Sequence, residues 1–82
     1  METTNLIEER IKKGLAQKVG KGEINSDSRL IEDLGLDSLD TFDLLFELEK
    51  EFDIEIPTVD ALRFIRVHDV VGYVRSKAKN KA

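Results

Sequence analysis

Apolar residues recur at three- and four-residue steps in three stretches of this chain, and no segment shows the two-residue alternation that a half-buried strand requires. That periodicity confines the 82 residues to an all-α fold. Leu6, Ile7, Ile11, Leu15 and Val19 mark a first helix, with Asn5 and Glu8 spaced as a capping box and Gly20 as its end. Gly20-Lys21-Gly22 and Asn25-Ser26-Asp27-Ser28 put turn chemistry on both sides of Ile24, so the chain as far as Leu36 reads as a long loop, pinned to the core by Leu30, Ile31 and Leu34. A second helix is expected from Ser38 to Phe52, with Asp37 as N-cap and Asp40 as a first-turn acid that the helix dipole favours. Pro57 closes the next linker, the stretch from Val59 to Ile65 has room for two helical turns, and Val67, Val70, Val71 and Val74 mark a last helix. The expected architecture is a four-helix bundle with a long loop after helix one and a short third helix.

Residues 1–82 suffice for one domain, because a chain this small buries only about 60% of its unfolded surface. The end of the chain, residues 77–82, reads as a frayed basic tail. Cysteine is absent, so no side chain can carry a thioester or supply a thiolate to a metal. No apolar run approaches the roughly 20 residues that cross a bilayer, and Met1-Glu2-Thr3-Thr4 has neither the basic nor the apolar region of a signal peptide, so a cytoplasmic protein without a membrane span is expected. The net charge of −4 is unevenly spread. Residues 32–55 hold ten acids and one base, whereas residues 56–82 hold six bases and two acids. Such an anionic middle segment repels nucleic acid and attracts basic protein patches.

The second helix carries two apolar arcs. Thr41, Leu44, Leu45, Leu48 and Phe52 fall within an arc of roughly 100°, the width of a core-facing stripe. Leu39, Phe42 and Phe46 form a separate arc, with Asp40, Asp43, Glu47 and Glu51 on the flank between. One reading tucks Phe42 and Phe46 under the long loop as additional core. The other makes the second arc an exposed strip edged with carboxylates, a form suited to docking.

The run Asp33-Leu34-Gly35-Leu36-Asp37-Ser38-Leu39-Asp40, continued by the acidic helix to Glu55-Ile56-Pro57, resembles the prosthetic-group site of acyl carrier proteins. The resemblance implies that Ser38 receives a 4'-phosphopantetheine arm, attached covalently from coenzyme A by a phosphopantetheinyl transferase. Acyl intermediates would then ride on its thiol as thioesters. Asp37 and Leu39 would border the attachment point, with Leu36 also beside the arm. A serine at the first helical position lies near unpaired backbone N–H groups that, with the dipole, receive a phosphate. The resemblance further implies that Leu39, Asp40, Phe42, Asp43, Phe46 and Glu47 meet acyl-transferring and acyl-modifying enzymes through basic docking patches. It implies a non-catalytic carrier in fatty-acid, specialised lipid or polyketide biosynthesis, and a monomer is expected because the exposed strip is small and copies of like charge repel. Leu36-Asp37 before the serine points to acyl cargo, with a D-alanyl or aminoacyl carrier as an alternative.

Other chemistries have less support in the residues. A Ser-His-Asp hydrolase is short of histidine, since His68 is the only one, and no strand precedes Ser38 to make a nucleophile elbow. No calcium-loop spacing occurs, so no metal site is expected. Taken alone, Ser38 also fits an ordinary first-turn serine, and the whole chain fits an unmodified helical adaptor. Two features depart from the family pattern. The third-helix segment, Thr58 to Arg66, is apolar and basic where acidic residues are usual, and Arg66 stands where a capping oxygen is expected, with Asp69 able to compensate through the dipole. Gly14 and Gly72 sit inside expected helices and either weaken them or permit close helix approach.

Overall fold

The computed structural model describes residues 2–20 and 24–80. Four helices follow in order: α1 (Glu2–Val19), α2 (Ser38–Phe52), α3 (Thr58–Ala61) and α4 (Val67–Asn80). Because α1 begins at Glu2, Asn5 lies inside the helix and is not its N-cap. Neither Gly nor Pro occurs in Glu2-Thr3-Thr4 to stop the helix from extending that way. Glu8, the other half of the expected box, pairs with Lys12 at 2.9 Å and accepts a hydrogen bond from Ser26 at 2.8 Å, which ties α1 to the loop.

The core forms where the apolar stripes of the three long helices meet. α1 supplies Ile7, Ile11 and Leu15, α2 supplies Leu44, Leu45 and Leu48, and α4 supplies Val67, Val70, Val71 and Val74. Leu6 is exposed, since it falls about 100° away from Ile7 around α1. Gly14 stands where α1 passes α2, and a Cβ there would lie 3.2 Å from Leu44 Cδ1, so this glycine does serve close approach. Gly72 does not, for a Cβ there would meet nothing within 4 Å.

Ile24, Leu30 and Leu36 pin the long loop, with Leu34 half-buried. Ile31, expected among them, is exposed. Residues 29–35 wind into a helical turn, with Leu34 N–H bonded to Arg29 C=O and Gly35 N–H to Ile31 C=O, so Leu30 and Leu34 share one side and Ile31 points away. Gly35 closes this turn at φ +76°, a conformation that a side chain would oppose.

The loop is then stapled to the start of α4. Leu30 N–H donates to Ile65 C=O at 2.8 Å, Val67 N–H to Ser28 C=O at 3.0 Å and His68 N–H to Ser26 C=O at 2.9 Å. The first two of these bonds form the isolated bridge between Arg29 and Arg66, the only strand-like pairing among the described residues. They also explain why α3 ends at Ala61 instead of reaching Ile65: the backbone around Ile65 is committed to the loop. α3 is anchored from its other side by Tyr73, whose hydroxyl donates to Asp60 at 2.7 Å and whose ring meets that of Phe64 edge-on at 5.3 Å. α4 continues through Asn80, so the tail expected from Lys77 is helical to that point, and residues 81 and 82 lie outside those described.

Candidate functional site

Ser38 occupies the first position of α2, and three local devices place it there. Gly35 turns the chain, Leu36 is buried and anchors it, and Asp37 caps the helix with its backbone extended. Leu36 is therefore part of the core, contrary to the expectation that it lies beside an arm on Ser38. Asp37 Oδ1 accepts from Asp40 N–H at 2.8 Å, while Asp40 Oδ2 accepts from Asp37 N–H at 3.4 Å, completing a reciprocal box. Thr41 N–H and hydroxyl both donate to Asp37 C=O at 3.0 Å. Two first-turn N–H groups, those of Ser38 and Leu39, are left without an acceptor among the described residues.

The Ser38 side chain is exposed, and its hydroxyl takes no hydrogen bond among the described residues. Beside it opens a cleft of about 80 Å³, lined by Leu30, Ile31, Thr41, Phe42, Ala61, Leu62 and Phe64. An esterified phosphate fits here: the oxygen is accessible, two backbone donors and the positive end of the dipole adjoin it, and an apolar cleft lies next to it. The carboxylates of Asp37 and Asp40 are close by, but both are turned onto backbone N–H groups.

The two arcs of α2 divide differently from either sequence reading. Leu39 is 76% exposed and Phe46 59%, whereas Phe42 is half-buried, packs on the core and lines the Ser38 cleft. Phe42 lies angularly between Leu45 and Phe46, at the edge of the buried stripe, so it is part of the core while its two neighbours on the arc are exposed. Asp43 and Glu47 are exposed, while Asp40 is half-buried by its capping role. The acidic flank is partly answered from within the chain: Arg10 of α1 pairs with Glu51 at 2.8 Å, and Lys18 lies 4.0 Å from Glu47. Among the described residues Asp43 has no such pair.

His68 is exposed, with its ring nitrogens 4.0 Å from Asp27 and 3.4 Å from Asp69, and it is not among the residues lining the Ser38 cleft. Asp69 caps the last helix more directly than a dipole argument requires. One of its oxygens accepts from both Ile65 N–H and Arg66 N–H at 2.9 Å. Burial pushes the Asp69 carboxyl up, but those hydrogen bonds, with His68 and Arg66 nearby, outweigh it and hold the group below its ordinary range. No group of three metal-ligating side chains occurs among the described residues.

Sequence reasoning missed the walls of the cleft. Ile31, Leu62 and Phe64 come to Ser38 from segments far apart in the chain, and the only signal was that each is a large apolar residue outside the long-helix stripes.

Comparison with known proteins agrees with this geometry. A family model described as the phosphopantetheine attachment site matches residues 9–74, which include Ser38. A protein named acyl carrier protein from Rickettsia bellii (strain RML369-C) is 42% identical over 77 residues, covering 92% of this chain and 90% of that protein. A solved structure described as an acyl carrier protein of Mycobacterium tuberculosis superposes with a TM-score of 0.80 at 38% identity, over 85% of this chain and 96% of the other. The chain belongs to the acyl carrier protein family and has that family's phosphopantetheine attachment domain.

Proposed function

We propose that Ser38 is the residue that bears the phosphopantetheine, and that the exposed face of α2 is where partner enzymes dock. The observation that carries this reading is an accessible, unengaged hydroxyl at the first position of a capped helix, next to an apolar cleft and inside the matched attachment domain. A separate transferase would join Ser38 Oγ to the phosphate of the group taken from coenzyme A, breaking the coenzyme's pyrophosphate bond, releasing adenosine 3',5'-bisphosphate and passing the hydroxyl proton to a base of the transferase. When attached, the group supplies a terminal thiol on which acyl cargo is held as a thioester, and a chain without cysteine has no thiol of its own.

The chain's residues orient and present; partner enzymes do the chemistry. Asp37 fixes the start of α2 and hence the direction of the Ser38 oxygen. Leu39 and Phe46 offer apolar anchors, and Asp43 and Glu47, with the outer edge of Asp40, steer basic surfaces towards them, while Phe42 borders the cleft. The chain acts as a monomer in the cytoplasm, within fatty-acid synthesis or a related specialised lipid or polyketide pathway. No helix among the described residues is long and apolar enough to cross a membrane.

Intact-mass spectrometry after incubation with coenzyme A and a phosphopantetheinyl transferase tests the reading. The parent chain is expected to gain one phosphopantetheinyl mass and Ser38→Ala none. Gain in both would move the site elsewhere, and gain in neither, across several transferases, would favour an unmodified adaptor.

A further inference from the structure

Serine follows an asparagine or an aspartate at three places in this chain: Asn25-Ser26, Asp27-Ser28 and Asp37-Ser38. In each pair the side-chain carbonyl carbon can close a five-membered ring onto the next backbone nitrogen, and serine is small enough not to obstruct it. The sequence treats the three alike, but the structure separates them. At Asp27 the nitrogen is engaged, because Ser28 N–H donates to Asn25 C=O at 3.1 Å, although the Asp27 side chain is 91% exposed. At Asp37 the side chain is engaged, because its Oδ1 accepts from Asp40 N–H at 2.8 Å to cap α2.

At Asn25 neither group is engaged. Its side chain is exposed and takes no hydrogen bond among the described residues, and Ser26 N–H has no acceptor among them. Residue 26 is held by its other groups instead, the hydroxyl on Glu8 at 2.8 Å and the carbonyl by His68 N–H at 2.9 Å. Asn25 is also the one of the three that ends in an amide, so ring closure can expel ammonia, whereas the other two are carboxylates with a poor leaving group. Asn5 is protected in a different way: it lies inside α1, where the helix commits the next N–H to the carbonyl of Glu2.

We infer that Asn25 is a site of spontaneous modification, at which the Ser26 nitrogen displaces ammonia from the Asn25 amide and water opens the resulting imide to aspartate or isoaspartate. The bond from Ser26 N to Asn25 Cγ forms and the Cγ–Nδ2 bond breaks. The Ser26 N–H proton passes to hydroxide or a buffer base, and the departing nitrogen takes a proton from solvent. Water then adds to one imide carbonyl, and the bond from that carbon to Ser26 N breaks. Opening at Cγ leaves aspartate; opening at the α-carbonyl routes the main chain through the side chain and leaves isoaspartate. Either product adds a negative charge beside Ser26, whose hydroxyl already meets Glu8. Isoaspartate also lengthens the main chain by one carbon and removes from it the carbonyl on which Ser28 N–H closes the turn. That turn carries the two carbonyls, of Ser26 and Ser28, that receive His68 N–H and Val67 N–H, so the change loosens the loop where it meets α4. The same loop brings Leu30 and Ile31 to the cleft beside Ser38. The inference does not depend on what Ser38 bears.

The test makes the three sequence pairs identical and lets the fold decide between them. The full chain with Asp27→Asn and Asp37→Asn has asparagine before serine at all three positions, and asparagine still caps α2 at position 37. This chain is held in mildly alkaline buffer, folded in one sample and unfolded in guanidinium chloride in another. Peptide mapping by mass spectrometry follows the gain of one mass unit at each position, and an isoaspartyl methyltransferase marks the isoaspartate. In the folded chain position 25 is expected to convert first while positions 27 and 37 lag, and in the unfolded chain the three rates are expected to converge. Asn25→Ser in the parent chain is expected to abolish the gain at that position. The converted parent chain, separated by ion exchange on its added charge, is expected to exchange the Val67 and His68 amide protons faster than the unconverted one. The inference is overturned if position 25 converts no faster than 27 or 37 in a chain that keeps its folded spectrum, or if the same order persists in the unfolded chain. Unchanged exchange at Val67 and His68 would overturn the effect claimed for the loop.

Discussion

Asp37 illustrates what a single residue decides here. It both caps α2 and sets the direction of the neighbouring hydroxyl, so the two roles separate by substitution. Asp37→Ala is predicted to destabilise the fold by about 1 kcal/mol and to slow transferase loading, while Asp37→Asn, which also caps, keeps most of the stability. Thermal melts and loading rates measured on the same samples check both. Gly35, Asp37 and Ser38 were legible in the sequence because a turn, a cap and a first-turn hydroxyl are contiguous in the chain and depend on few other contacts. Asn5 and Leu36 were misread for the complementary reason. A capping residue does not prevent helix from forming before it, and whether a leucine faces cleft or core is decided by the fold around it.

Apolar period and end signals together outline the helices, and α2 matches its expected limits because one strong cap and a full apolar stripe agree. α3 was read as longer than it is, since its apolar run continues to Ile65 while the backbone there bonds to the loop; that competition belongs to tertiary structure. The two helical glycines diverge in the same way. Gly72 faces open space in the interior of α4, so Gly72→Ala is predicted to stabilise the chain by about 1 kcal/mol. In a domain of this size that raises the melting temperature by about 4–8 °C. Gly14→Ala gains the same helix propensity but presses on Leu44 and is predicted to fall short of the Gly72 gain. Parallel melts of the two variants decide the point.

Across the whole molecule, the ionisable groups that join elements set the pH range of stability. Hydrogen bonds from Lys12 and Ser26 hold the Glu8 carboxyl below its ordinary range, and Asp69 is likewise lowered. Their contribution is therefore present above about pH 4 and lost as the pH falls through the lowered values, where the unfolded chain has already taken up protons. Tyr73 behaves in the opposite sense. Burial, then the hydrogen bond to Asp60 and that carboxylate's charge, pushes its phenol up to about 12 from an ordinary 10.0, so its contribution is complete below pH 10 and disappears as the pH rises through 12. Tyr73→Phe is predicted to lower stability at pH 7 by about 1 kcal/mol, with the wild-type advantage vanishing across that alkaline window. Denaturant unfolding at a series of pH values measures it.

Helix content, core stripes and the position of Ser38 at the capped start of α2 were legible because they repeat or adjoin in sequence. The cleft, the loop staple and the Asp60–Tyr73 link were not, because each joins segments that only the closed bundle brings together. The proposal that Ser38 bears the arm is tested most directly by peptide mapping, by mass spectrometry, of the chain purified from its own cell. The fragment containing Ser38 is predicted to carry one phosphopantetheinyl group on that residue. A fragment bare in every preparation, or the group on another serine with Ser38 free, would contradict it.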